Sequence, residues 1–71
     1  MSDSVYKIIE LVGTSEASWE EAAKNAVETA SKTLKNLRIA EISSLDMKTE
    51  NGRIAAYRAR VKLSFKYEPT G

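Results

Sequence analysis

The chain contains neither cysteine nor histidine. The first absence rules out disulfides and thiolate-bound metals; the second removes imidazole as a metal ligand and as the commonest general base. With one proline and three glycines, there is no linker, no low-complexity tract and no glycine-rich phosphate loop. An excess of one charge is also missing. Eleven Lys and Arg against ten Asp and Glu give a formal net charge of +1, so no global field draws the chain to nucleic acid or to an anionic membrane. No apolar run approaches membrane-spanning length. The first residues, Met1-Ser2-Asp3-Ser4, lack the basic segment and apolar stretch of a signal peptide. A cytoplasmic protein is expected, with neither membrane nor nucleic acid as partner.

What is present is an ordinary globular composition, 42% hydrophobic, in 71 residues. That length predicts one domain spanning 1–71. A domain this small buries roughly 60% of the surface of its unfolded chain, and its core contributes at most about 3–5 kcal/mol net. With disulfides and thiolate metal sites excluded, self-association is the reinforcement that remains, and a homo-oligomer is expected.

The predicted order is strand, helix, strand, long hairpin, strand, an α+β fold with a three-stranded antiparallel sheet around one helix. Val5 to Val12 is β-rich but apolar on both faces, with Ile8 beside Ile9 and Leu11 beside Val12; such a strand is covered twice, once by the chain's own helix and once by a partner. Gly13-Thr14-Ser15 is read as the strand-to-helix connection and only weakly resembles a phosphate-binding turn. Ser18-Trp19-Glu20-Glu21 fits a capping box. From there Trp19, Ala22, Ala23, Ala26, Val27, Ala30 and Leu34 recur at helical spacing. Glu28 and Lys32 form an i,i+4 pair, Lys32 and Lys35 face the dipole's negative end, and Asn36 is the left-handed stop. In Arg38 to Lys48, Ile39, Leu45 and Met47 share one parity and Ala40 and Ile42 the other, a change of parity that predicts either cover on both faces or a bulge. Asn51-Gly52 predicts a type I′ hairpin. In the last strand Tyr57, Ala59, Val61, Leu63, Phe65 and Tyr67 face one way; Arg58, Arg60, Lys62, Ser64 and Lys66 face the other.

Catalytic constellations are poor. Glu20, Glu21 and Glu28 are helix-terminal or solvent-facing, and no base is positioned beside any Ser or Thr; the expected class is not an enzyme. Trp19, at the helix start, is read as a lid on the core or an interface anchor. The row Arg58, Arg60, Lys62 and Lys66 admits four readings: phosphate contacts to nucleic acid, contacts to Glu10, Glu41, Asp46 or Glu50 of neighbouring strands or subunits, an anionic-ligand site, or a solvated face.

Val5 to Ser15, followed by Ser18-Trp19-Glu20-Glu21-Ala22-Ala23, then Ala40-Glu41-Ile42 and Tyr57 to Phe65, resembles the dodecin family over about residues 5–67. The resemblance implies a β-α-β-β subunit, a hollow shell of twelve copies in the cytoplasm, and binding and storage of flavin (riboflavin, FMN or FAD) between subunits. Three positions match the family's flavin site: Ile39 stands where a tryptophan stacks on the ring, Arg58 where a glutamine bonds its polar edge, and Asp46 about where phosphate-binding members carry a basic residue. Trp19, Arg60 and Lys62 are candidate interface or anion contacts. The resemblance also admits a flavin-free structural shell, or one binding a divalent cation through carboxylates such as Glu10, Glu16, Glu41 or Asp46, with no spacing that identifies the ligands. A nucleic-acid-binding module ranks below both.

Overall fold

The computed structural model describes residues 4–67. Its order is β1 (Tyr6–Ser15), α1 (Trp19–Ser31), β2 (Leu37–Glu50) and β3 (Arg53–Lys66). The three strands form one antiparallel sheet in the order β1-β3-β2, with β3 in the middle.

The first strand runs three residues further than its composition suggested. Gly13, Thr14 and Ser15 pair with Ala59, Arg58 and Tyr57, so they are sheet and not a phosphate-binding turn. Gly13 is needed for space. A Cβ there would overlap the carbonyl oxygen of Ala22 and lie 3.0 Å from the Ala26 Cβ. The helix therefore rests directly on the strand backbone, and its alanine stripe makes that approach possible.

Ser18 caps the helix, its hydroxyl accepting from the Glu21 amide at 3.0 Å. The reciprocal half of the expected capping box is replaced. The amides of Ala17 and Ser18 donate to the Ser15 hydroxyl at 2.9 and 3.4 Å. The helix ends at Ser31, earlier than its apolar spacing suggested. The amides of Thr33 and Leu34 both bond the Ala30 carbonyl, and the Ser31 hydroxyl bonds Val27, a local pairing that competes with helix continuation. Lys32 and Lys35 thus lie outside a last turn that contains no basic residue. The ion pair on the solvent face is Lys24–Glu28 at 3.9 Å, instead of Glu28–Lys32. Asn36 is left-handed, with φ 64; it caps the connection into β2 and not the helix.

Asn51 and Gly52, with φ of 52 and 76, make the expected hairpin turn between Glu50 and Arg53. Past it the register shifts three times. The shift between Ile42 and Ser44 is the bulge that the parity change announced. Ser43 is the extra residue there, and its hydroxyl donates to the Arg60 carbonyl at 3.2 Å. In consequence Ala40, Ile42, Leu45 and Met47 all lie opposite residues of the helix-facing row of β3.

The core is thin. Ala22, Ala26 and Ala30 pack on Ala59, Val61 and Leu63, with Ile9, Leu11, Ala23, Val27, Leu34 and Leu37 around them. Among the described residues only Val61 and Leu63 are large and fully buried. The molecule measures 55 × 20 × 16 Å, with a radius of gyration of 14.8 Å against about 11 Å for a compact chain of this length. It exposes 5465 Å², whereas a compact monomer of its 7.9 kDa would expose about 4,400 Å². The hairpin accounts for the shape: β2 is exposed along nearly all its length, and Ile42, Leu45 and Met47 extend the helix-facing apolar row beyond the helix.

Candidate ligand site on the outer sheet face

The sheet's other face is organised in rungs by its register. Tyr6 pairs with Lys66. Ile8 and Ile39 both lie opposite Ser64, Glu10 and Glu41 opposite Lys62, Val12 and Ser44 opposite Arg60, and Thr14 and Asp46 opposite Arg58. Directly opposed residues of antiparallel strands share a face, so the basic row of β3 runs down the middle of this surface with carboxylates on both sides.

Two cations of the row, Arg58 and Arg60, meet carboxylates of their own chain. Arg58 donates from Nε to Asp46 Oδ1 at 2.7 Å and from Nη2 to Oδ2 at 2.9 Å, a bidentate fork. Arg60 reaches diagonally to Glu10, Nη1 to Oε1 at 3.4 Å. Lys62 sits in register between Glu10 and Glu41. Hydrogen bonding from Arg58, reinforced by its charge and that of Arg60, holds the Asp46 carboxyl below its ordinary value, while Asp46 raises Arg58 above its own. Of the four readings of the basic row, contact with neighbouring strands is seen within the chain at Arg58 and Arg60.

Asp46 is also held from the helix side. The Trp19 indole Nε1 donates to the Asp46 carbonyl at 2.9 Å, and the Trp19 ring meets Tyr57 edge-on, centroids 5.0 Å apart. Half-buried Trp19 therefore fastens the start of α1 to the hairpin. Nothing in the sequence announced this bond, because its acceptor is a backbone atom 27 residues away.

The three positions matching the family's flavin site separate into two places. Asp46 and Arg58 are joined in the fork. Ile39 lies on the same face opposite Ser64, six residues further along β3, about 20 Å away at strand spacing. There Ile39 and Ile8, 54% and 59% exposed, flank the small Ser64 across three strands. This ledge is roughly 10 Å wide at the usual strand separation and offers a flat ring an apolar seat, though no π-face. The ledge was missed in the sequence, because pairing of β1 and β2 to one residue of β3 requires the sheet order. Arg38 is the extra residue at the register shift beside Ile39. Two grooves lie elsewhere: one of about 400 Å³ along Leu11, Gly13, Asn25 and Thr29, one of about 320 Å³ at Val5, Tyr6, Lys7 and Tyr67. Neither contains the fork or Ile39.

Among the described residues no three carboxylates gather as a metal site, and no helix is long and apolar enough to cross a membrane.

A split β-α-β-β sheet wrapped on one short alanine-rich helix, with apolar residues uncovered on both faces, defines a class of small subunits. The dodecin family model matches residues 5–68, and the chain belongs to that family. It is 39% identical over 66 residues to a calcium dodecin of Mycobacterium tuberculosis, covering 93% of both chains. The solved structure of that protein, described as having a novel calcium-binding site, superposes with a TM-score of 0.81 at 40% identity, over 96% of this chain and 97% of the other. A Thermus thermophilus dodecin is 35% identical over 93% of this chain and 96% of its own. The dodecin structure from Streptomyces coelicolor matches 99% of this chain and all of the other, with a TM-score of 0.89 at 36% identity.

Proposed function

We propose that the chain is the repeating subunit of a homo-oligomeric cytoplasmic shell, twelve copies in all, that binds and stores a flavin-class ligand between subunits and performs no catalysis. One observation carries this reading. The ligand-site positions are split about 20 Å apart on a sheet whose apolar side chains lie uncovered, in a chain exposing about 1,000 Å² more than a compact monomer would. That excess is the size of one partner's share of a standard interface, about 800 Å². A second copy both covers it and brings an Ile39 ledge to another subunit's fork.

Riboflavin titrated into the purified particle, followed by quenching of its fluorescence, tests the ligand. The expected result is saturable quenching at micromolar concentrations in a particle of multimeric mass. No quenching at tens of micromolar in an assembled particle would sink the ligand reading.

A second reading, a cation-binding shell, is favoured by the relative that carries calcium in its name. Asp46 and Glu10 are already engaged with arginines, so an ion site would draw oxygen donors such as Glu16 or Glu41 from more than one copy. Calorimetric titration of calcium into chelator-treated particle distinguishes it; silence at millimolar calcium rejects it. The nucleic-acid reading loses ground because Arg58 and Arg60 are paired with carboxylates within the chain. It would return only if steeply salt-dependent binding were found.

A further inference from the structure

The sheet has three strands only as far as the pairing of Ser15 with Tyr57. Beyond that rung β2 and β3 continue alone, through Lys48–Ala56, Thr49–Ile54 and Glu50–Arg53, to the turn. A two-stranded ribbon is marginal by itself and twists more than a wider sheet. The register shift between Lys48 and Thr49 bends it further. The helix gives it no cover, since α1 starts beside Tyr57 and its connection to β2 ends opposite Lys66, at the other end of the sheet. Asn51 lies about 17 Å from Asp46 at strand spacing, so a tilt of about 10° at the base would carry the tip about 3 Å. A displacement of that size is enough to forfeit packing contacts.

One residue grips both strands at this base. The Trp19 Nε1 donates to the Asp46 carbonyl of β2 at 2.9 Å, and the Trp19 ring meets Tyr57 of β3 edge-on. Asp46 and Tyr57 belong to the last two rungs at which the sheet is three strands wide. Trp19 is itself pinned. Ser15, the last residue of β1, accepts from the amides of Ala17 and Ser18, and Ser18 caps the helix that Trp19 begins. The end of β1, the cap, Trp19 and the ribbon base therefore form a closed frame.

The ribbon carries an apolar row. Rungs alternate between faces, so Met47 and, two rungs on, Ile54 lie on the helix-facing side past the helix, where both are exposed. The chain's own elements leave them uncovered, and the chain exposes about 1,000 Å² more than a compact monomer would. We infer that the ribbon Lys48–Ala56 is an arm that lies on a second copy of the chain. Trp19 is the positioning residue that sets the arm's angle, through Asp46 and Tyr57, so that copies close into one discrete particle. The inference rests on the proposed shell and adds what fixes its geometry.

Trp19→Phe keeps an aromatic ring and removes the N–H. Because the chain contains no cysteine, spin labels at Glu28→Cys on the helix and Glu50→Cys on the arm report the angle cleanly, in particles with labelled subunits diluted among unlabelled ones. Particle mass is followed on dilution by native mass spectrometry. The expected result in Trp19→Phe is a broadened helix-to-arm distance distribution and the appearance of smaller species. The concentration at half-dissociation should rise about fivefold or more, as the loss of one hydrogen bond per subunit implies. Tyr57→Phe, which keeps the ring contact, should match the unaltered protein. If Trp19→Phe does not fold, 3-benzothienylalanine at position 19 keeps the bicyclic ring without the N–H and should give the same result. An unbroadened distribution in the folded variant overturns the inference, as does a broadened one in a particle of unaltered mass and dilution behaviour. A monomeric unaltered protein removes the shell reading, and this inference with it.

Discussion

Replacing Gly13 by alanine adds one methyl group at the point where helix and sheet are closest. The new Cβ would overlap the Ala22 carbonyl oxygen and crowd the Ala22 carbonyl carbon and the Ala26 Cβ, both at 3.0 Å. Two of these three atoms are backbone, so no side-chain rotation relieves the clash and the helix must move off the strand. Overpacking a well-filled core costs about 1–3 kcal/mol, and an obstacle in the backbone places this case at the upper end, about 3 kcal/mol. The core itself contributes only about 3–5 kcal/mol net in a domain this small. Urea denaturation at fixed protein concentration is the assay. With a slope of about 1 kcal/mol per molar, the midpoint should fall by about 3 M. Gly52→Ala is the comparison. Nothing lies within 4 Å of its added Cβ, but its φ of +76 is costly for an L-residue, by about 1–2 kcal/mol. A Gly13→Ala protein within about 0.5 kcal/mol of wild type, the range of an inconsequential surface change, would refute the claim that contact at this glycine holds helix against sheet.

Ser18→Ala removes the hydroxyl that accepts from the Glu21 amide and should lower stability by about 1 kcal/mol, with Ser18→Asp restoring it; equal midpoints for all three would contradict the cap. Asp46 should titrate below 3.8 in carbon-detected NMR, because hydrogen bonds from Arg58 favour its charged form. Its folded value is depressed, so the stability it contributes is present above the ordinary value and lost as pH falls through the folded one. The fork therefore persists from neutral pH to about pH 4 and opens only in stronger acid, and a midpoint at or above 3.8 would count against it. Leu45→Asp places a charge on the uncovered apolar row of β2. It should reduce particle mass with little change in the far-ultraviolet circular dichroism, and an unaltered particle would show that this row is not an interface.

Periodicity and turn chemistry make most of the fold legible in the sequence. The alanine stripe of α1, the Asn51-Gly52 turn and the alternation of β3 each depend on neighbours within a few residues. The doubled apolar pattern of β1 is also informative: Ile9 and Leu11 pack on the core while Ile8 and Val12 remain exposed. Register is harder. Counting back from the turn with no irregularity sets Asp46 opposite Tyr57, on the helix side. The shift between Lys48 and Thr49 moves it opposite Arg58, and only then does the fork exist. Likewise the helix's early end and the replacement of Glu21 by Ser15 at its start come from serine hydroxyls bonding nearby backbone, interactions that helical spacing does not reveal.

Sedimentation equilibrium or light scattering on the purified, unaltered protein at micromolar concentration tests the subunit claim most directly. A shell-forming subunit gives a discrete species at twelve times the 7.9 kDa of one chain, stable on dilution. A stable 7.9 kDa monomer that keeps its folded circular dichroism would contradict it, since the thin core and the uncovered faces of the hairpin would then suffice alone.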